Sequence, residues 1–352
     1  MKTPRIKLTA FAGLFLLVAM SCSLISGQQQ PVESPALKAT TPEISTEAPN
    51  EAASTTEPGA ESPEATQEVS ASPAPQQGGT TSGAQGPCDD KVCVLDGSFL
   101  LKRPIGPEWR NKIDTASRYG TLRRRIRDTY YGVQFLNSLG TPVYAAAGGD
   151  VEVAGDDSQV MYGPRLNMYG NLVIIKHSLP GISEPVYTLY AHLSEISVKA
   201  EGDVEAGEQI GMVGMSGSTR GSTLYFEVRY GKNSYEAARN PELWLEPLTD
   251  ATGDPMGALA GRVVDKQGNY VHIRNILVEN LRTAAQGKLG PLYLRTYIDN
   301  IQMGLDPWKE SFAASYMPEG TYQISFWYGS QLYQREVEVQ PGRLTYVNFE
   351  VK

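Results

Sequence analysis

YGNLVIIKH, residues 169–177, is the stretch that decides the class of the fold. A Gly-Asn turn leads into four consecutive apolar residues, three of which are β-branched, and such a run favours a buried strand. Short apolar runs of the same kind recur on both sides of it, separated by Gly-rich turns, and no long amphipathic helix is evident. Strands are predicted at residues 143–147, 150–154, 171–177, 187–191, 209–213 and 223–230. We therefore expect an all-β domain at residues 87–248.

A second β region follows a short polar linker at residues 249–255. Its apolar runs recur about every ten residues and are separated by Gly-containing turns, a pattern typical of a small sandwich. Strands are predicted at residues 258–264, 272–279, 292–298, 311–316, 321–328, 332–339 and 344–351. The sequence thus predicts a second all-β domain at residues 257–352.

The N-terminus has the features of an export signal. Three basic residues precede an apolar run at residues 8–20, which is too short for a comfortable membrane-spanning helix. Small residues then lead to Cys22, a pattern that resembles a bacterial lipobox. Residues 1–22 are therefore predicted to be a lipoprotein signal peptide, with Cys22 as the lipidation site and membrane anchor. An ordinary signal peptide with an incidental cysteine is the alternative.

Residues 23–86 are predicted to form a flexible stalk. Pro, Glu, Ser, Thr, Ala, Gln and Gly dominate the segment, and aromatic residues are absent from it. Such a composition buries too little apolar surface to offset the entropy of ordering. The segment carries eight Glu and one Lys, so it holds most of the chain's net charge of −8. The remainder is close to neutral, which gives no electrostatic case for nucleic-acid binding.

Two further cysteines, Cys88 and Cys93, lie at the start of the first β domain. In an oxidising compartment they are expected to form a disulfide. Two free thiols near a domain edge are the alternative.

The first region contains a series of ordered sequence blocks, which are GTPVYAA (140–146), YGNLVIIKH (169–177), LYAHLS (189–194), GDVEAGEQIG (202–211) and GMSGST (214–219). Together these blocks resemble the lysostaphin-like, or LytM-type, zinc endopeptidases. The resemblance covers about residues 100–248. It implies a LytM-type β domain, built on a duplicated hybrid motif, with a groove across one sheet. The substrates of active relatives are the peptide cross-links of bacterial peptidoglycan.

In active relatives the zinc ligands come from H-x-x-x-D and from the second His of H-x-H, and two further His are catalytic. The resemblance places Tyr130, Gln134 and Tyr225 at the three ligand positions. Thr223 stands at one catalytic position, and only His192 remains, as a vestigial groove residue. A neutral amide is a poor zinc ligand and a phenol is a reluctant one. No cofactor is therefore expected, and the domain is predicted to be a pseudoenzyme.

The altered site is nevertheless expected to form a groove rich in tyrosine. Aromatic faces with polar tips suit sugar or peptide recognition. Alternatively, the tyrosines simply fill the space that the metal occupies in relatives. The predicted groove residues are Tyr130, Tyr131, Gln134, Tyr190, His192, Thr223 and Tyr225.

The second β domain resembles carboxypeptidase regulatory-like, transthyretin-type or Cna B-type sandwiches. The matching segments are AGRVVDKQG (260–268), MPEGTY (317–322) and VQPGRLT (339–345). This resemblance implies a spacer or adhesion module without catalysis.

Together these features predict a lipoprotein on the extracytoplasmic side of the bacterial envelope. Its inactive peptidase-type domain is expected to bind peptidoglycan or a cell-wall hydrolase, since degenerate members of the family activate cell-wall amidases. Two alternatives remain open. One is an active metalloendopeptidase with non-standard ligands, and the other is a structural envelope or adhesion protein.

Overall fold

A nine-stranded, mostly antiparallel sheet forms the first part of the molecule. In this computed structural model the described residues are 91–96, 99–121, 129–251, 253–282, 290–298 and 308–352. The strands of this sheet are β2 (Val133–Phe135), β3 (Pro142–Tyr144), β4 (Gly149–Asp156), β5 (Asn171–His177), β6 (Val186–Ile196), β7 (Asp203–Val204), β8 (Gln209–Val213), β9 (Leu224–Tyr230) and β10 (Ala238–Arg239). The continuous path through the sheet is β10-β9-β6-β5-β4-β7, with β2 paired to β9, and with β8 joining β3 to β6. Short 3₁₀ helices lie at Thr115–Ser117, Tyr235–Ala237 and Pro241–Leu243.

Two four-stranded sheets form the second part of the molecule. The strands are β1 (Val92–Leu95), β11 (Gly257–Val264), β12 (Ile276–Asn280), β13 (Leu292–Leu294), β14 (Phe312–Met317), β15 (Gly320–Tyr328), β16 (Gln331–Val339) and β17 (Leu344–Glu350). The strand orders of the two sheets are β1-β17-β11-β14 and β13-β12-β15-β16. Apolar side chains from both sheets share one core cluster, as in a β-sandwich. The predicted all-β class is confirmed for both regions. The type of the second sandwich stays a prediction.

The first strand crosses between the two regions. Val92–Leu95 pairs antiparallel with the last strand, Leu344–Glu350, in the second region. The range predicted for the first domain, residues 87–248, therefore begins with a strand of the sandwich. All the described residues accordingly belong to one compact unit.

Buried contacts join the nine-stranded sheet to the sandwich. Trp244 is fully buried, and its ring meets that of Trp308 edge-on with 5.1 Å between the ring centroids. Arg118 forms a buried ion pair with Glu242, and the same carboxylate accepts hydrogen bonds from the backbone N–H and the hydroxyl of Ser315. A buried charge is costly unless it is paired and hydrogen-bonded, and here both conditions are met. These contacts fix the sandwich beside the predicted groove.

The predicted leader, Cys22, the stalk and Cys88 lie outside the described residues. Cys93 is disulfide-bonded, but its predicted pairing with Cys88 stays a prediction. Among the residues that the structure describes, no helix is long and apolar enough to cross a membrane.

Candidate functional site

Strand β9 presents two different faces because its side chains alternate. Its even-numbered residues from Leu224 to Val228 enter the main core. Its odd-numbered residues, from Tyr225 to Arg229, point to the opposite face, where they are also buried. The predicted site lies on this second face.

The three predicted ligand positions come together there. Gln134 on β2 lies directly opposite Tyr225 on β9, and cross-strand partners share one face of a sheet. Tyr130 packs against the apolar cluster that contains Tyr225. Gly132 lies between Tyr130 and Gln134 in the sequence. A Cβ atom added to Gly132 would be 3.0 Å from Tyr225 Cζ and 2.3 Å from the Phe226 carbonyl oxygen. The backbone thus passes close over the tyrosine ring.

Tyr225 fills the centre of this site. Its side chain is buried, with 1% of its surface exposed. The ring centroid lies 5.9 Å from that of Tyr169 and 5.8 Å from that of His192. A phenol ring therefore occupies the position that the resemblance assigns to the third ligand.

His192 reaches the same face through a bulge in β6. Asn171 pairs with Leu193 and Leu172 pairs with Ala191, so His192 is the extra residue of the bulged strand, and its φ is +64°. Its Nδ1 lies 2.8 Å from the Ser216 carbonyl oxygen and 3.1 Å from that of Tyr169. Because both partners are acceptors, we assign the ring hydrogen to Nδ1.

Thr223 stands where the resemblance places a catalytic histidine. It is buried, and its hydroxyl donates to the Phe135 carbonyl oxygen at 3.1 Å. Its backbone N–H donates to the Gly214 carbonyl oxygen at 3.1 Å. The side chain thus fastens β9 to β2.

Two residues predicted to line the groove lie elsewhere. Tyr190 is fully buried in the main core, where its hydroxyl accepts hydrogen bonds from the Ala146 N–H at 2.7 Å and the Thr188 hydroxyl at 2.9 Å. Burial raises the pKa of Tyr190. Tyr131 is also buried and stacks against Tyr235 with 4.2 Å between ring centroids. Tyr190 and Tyr131 therefore pack in clusters other than the one that contains Tyr225, and their predicted role in a groove stays a prediction.

The opposite end of the site holds a buried polar network that the sequence reasoning missed. Glu227 and Arg229 are both fully buried and form an ion pair at 2.8 Å. The Tyr169 hydroxyl donates to Glu227 Oε1 at 2.6 Å, and burial followed by the charge of Glu227 raises the pKa of Tyr169. Alternating polar residues at 223, 225, 227 and 229 in an otherwise apolar strand were the signal in the sequence.

The side chains present at the site do not fit a catalytic zinc ion. Zinc in peptidases is held by imidazole and carboxylate ligands with one position open for water. Here the three positions hold two phenols and a neutral amide, and the Tyr225 side chain is buried. Among the residues that the structure describes, no group of three or more His, Cys, Asp or Glu side chains is placed to hold a metal ion.

A large cavity lies next to the site and has two walls. Its volume is about 1310 Å³, and Tyr130, Gln134 and Thr223 lie in its lining. The predicted residues Tyr225 and His192 are not among the described residues that line it. The second wall comes from the sandwich, around strand β13, which the sequence did not predict.

The first region is similar in sequence to known proteins. Residues 128–237 match the sequence profile of Peptidase family M23. The DD-carboxypeptidase/endopeptidase Mpg of Neisseria meningitidis serogroup B is 41% identical over 147 residues, which is 42% of this chain and 30% of that protein. The murein hydrolase activator NlpD of Salmonella dublin is 36% identical over 108 residues, which is 31% of this chain and 25% of that protein.

A solved structure of the catalytic domain of lysostaphin from Staphylococcus simulans is also similar. It is 27% identical, covers 37% of this chain and 88% of that domain, and has a TM-score of 0.31. The matched part of this chain spans 30% of the length of Mpg, and 19% of the length of another relative, the cell division protein DipM of Caulobacter vibrioides.

Proposed function

We propose that the M23 domain of this chain, residues 128–237 and of the LytM type, acts at the bacterial cell wall without a catalytic zinc ion. In this role it binds peptidoglycan or a wall hydrolase and regulates wall cleavage. The whole chain is a lipoprotein of the envelope, held to the membrane by lipid on Cys22 and spaced from it by the stalk at residues 23–86.

The burial of Tyr225 is the observation that carries this proposal. A zinc peptidase needs room for the metal, its water and the scissile carbonyl. At the position that the resemblance assigns to the third ligand, Tyr225 is buried and packed against His192 and Tyr169, while Thr223 is bonded to the neighbouring strand. These contacts favour a binding role over hydrolysis.

The relatives support a role in wall metabolism. NlpD is named a murein hydrolase activator and Mpg a DD-carboxypeptidase/endopeptidase, so M23 domains occur in proteins of both kinds. The replaced donor set of this chain favours the regulatory kind.

The proposal is tested by restoring the ligands. Zinc is measured by elemental analysis in the full chain and in a restored variant, after removal of metal and addition of zinc. We expect no stoichiometric zinc in the wild-type chain and about one zinc ion in the variant, since imidazole and carboxylate are the ligands that zinc prefers. The variant Tyr328→His, on the sandwich, serves as the control for an added histidine. The restored variant carries Tyr130→His, Gln134→Asp, Thr223→His and Tyr225→His.

Function is measured with purified murein sacculi. We expect the wild-type chain to bind sacculi, or to accelerate their digestion by a wall amidase, and to release no wall peptides by itself. Stoichiometric zinc with chelator-sensitive release of wall peptides would instead establish the active peptidase. Absence of both sacculus binding and any effect on hydrolases would leave a structural role.

A further inference from the structure

Strand β13 forms one edge of the sandwich and faces the cavity. It pairs with β12 on one side, and among the described residues no strand pairs with it on the other. The lining of the cavity includes Leu292–Leu294 and Arg295 but no described residue of β12. The cavity therefore meets β13 from its open edge.

The hydrogen-bond pattern shows which backbone groups point into the cavity. The two-residue turn between β15 and β16 makes Tyr328 and Gln331 a hydrogen-bonded pair. Because these pairs alternate along antiparallel strands, the pattern can be followed through β12 to β13. Leu292 and Leu294 bond to β12, whereas the N–H and C=O of Tyr293 point outward. No hydrogen bond joins these two groups to a described residue.

The charged side chains among the described residues that line the cavity are all positive. Arg118, Arg220 and Arg295 line it, and the described lining contains no Asp or Glu. Glu242 balances Arg118. Arg220 and Arg295 are exposed, lie on opposite walls and form no ion pair with a described residue. In a chain with a net charge of −8, this local excess of positive charge favours an anionic ligand.

We infer that the cavity is a docking site for an extended, acidic segment of a partner protein, which adds to the sandwich as a strand beside β13. The open edge supplies main-chain hydrogen bonds, and the two arginines select carboxylates. The volume of about 1310 Å³ exceeds that of a site for one small molecule, which is roughly 300–1000 Å³.

The occupant we propose is an ordinary protein chain. A regular ladder with β13 requires L-residues joined by α-peptide bonds, since side chains must alternate between faces. Glycan strands carry no backbone amides in this arrangement. This inference rests on the proposed regulatory role, in which a protein partner has to be recognised.

The experiment measures binding of defined peptides to the full chain by fluorescence anisotropy. The probe is a labelled peptide of about ten alternating Thr and Glu residues, long enough for one strand. One control replaces every Glu with Lys. A second keeps the charges but carries N-methyl groups on alternate amides, so that it cannot complete the ladder. We expect the acidic probe to bind and both controls to bind at least about tenfold more weakly.

Variants of the protein separate charge from strand pairing. Arg220→Glu and Arg295→Glu are each expected to weaken binding of the probe about tenfold. Arg274→Glu is the matched control, since Arg274 is exposed on the same sandwich and does not line the cavity. Tyr293→Pro removes the outward N–H and should also weaken binding. Circular dichroism checks that every variant is folded.

Equal binding of the acidic and the Lys peptides would overturn the inference. So would equal losses in Arg274→Glu and Arg295→Glu, full binding of the N-methyl peptide, or no binding of the acidic probe up to about 1 mM. Displacement of the probe by muropeptides alone, or dimerisation of the chain through β13, would also overturn it. Probe binding in a chain that affects neither sacculi nor hydrolases would refute the proposed function and leave the docking site intact.

Discussion

Replacement of Tyr225 by alanine tests whether this ring fills the former metal site. The side chain is 1% exposed, and a buried aromatic residue removes roughly 150–250 Å² from water. At about 25 cal/mol per Å², this burial is worth up to ~4–6 kcal/mol, an upper bound since unfolded chains are partly compact. Measured aromatic-to-alanine changes in cores cost about 3–5 kcal/mol, and we expect Tyr225→Ala to fall in that range.

The matched control is Tyr293→Ala. Tyr293 is 67% exposed, so the same chemical change at this position should alter the free energy of unfolding by less than about 0.5 kcal/mol. Urea unfolding of the full chain, followed by tryptophan fluorescence, measures both variants. The fully buried Trp244 makes this signal sensitive to loss of the core. In a thermal scan, Tyr225→Ala should lower Tm by about 6–20 °C.

The reasoning would be refuted if Tyr225→Ala cost less than about 1 kcal/mol, or as little as Tyr293→Ala, because a ring that fills a closed site cannot be removed at that cost. Binding of sacculi gives a second readout. Tyr225 is only 1% exposed and so cannot contact a wall polymer directly, and a folded Tyr225→Ala chain should therefore retain its affinity for sacculi.

Three further predictions concern buried groups. Glu227→Gln or Arg229→Met should each cost about 3–5 kcal/mol in urea unfolding, whereas the double variant should cost less than their sum; additive losses would contradict a coupled pair. Burial lowers the pKa of His177 below its ordinary value of 6.5, so the folded state binds a proton less readily than the unfolded state. The free energy of unfolding should therefore be highest above pH 6.5 and fall as the pH drops below it. His177→Gln should flatten this acid-side dependence, and an unchanged pH profile would argue against it. Non-reducing peptide mapping should recover Cys93 linked to Cys88, and reduction should cost about 2 kcal/mol; a link to another cysteine would contradict the predicted pairing.

Much of the first region was predictable because its signals are local. The apolar run within residues 169–177 predicted a strand, and β5 spans Asn171–His177. The order and spacing of these sequence blocks predicted an M23-type domain, which the match at residues 128–237 confirms. The resemblance also assigned Gln134 and Tyr225 to one site, and the strand register places these two residues directly opposite each other.

Side-chain direction was harder to predict where both faces of a strand are buried. In β6 nearly every residue from Val186 to Leu193 is apolar, so no alternation reveals which side chains face the site. The Tyr190 side chain packs in the main core, whereas the bulge places the His192 side chain on the opposite face of the strand. A bulge depends on pairing with a neighbouring strand and leaves no clear mark in the sequence of its own strand.

The sequence by itself determined that this is an all-β chain with an M23-type domain, because strand patterns and block spacing are properties of neighbouring residues. Only the tertiary structure decided that Tyr225 is buried opposite Gln134 and that a strand from the sandwich supplies the second wall of the adjoining cavity. Both depend on contacts between residues far apart in the chain, from Gln134 opposite Tyr225 to Arg220 across from Arg295. Such contacts are set by packing of whole sheets, which local sequence patterns do not encode.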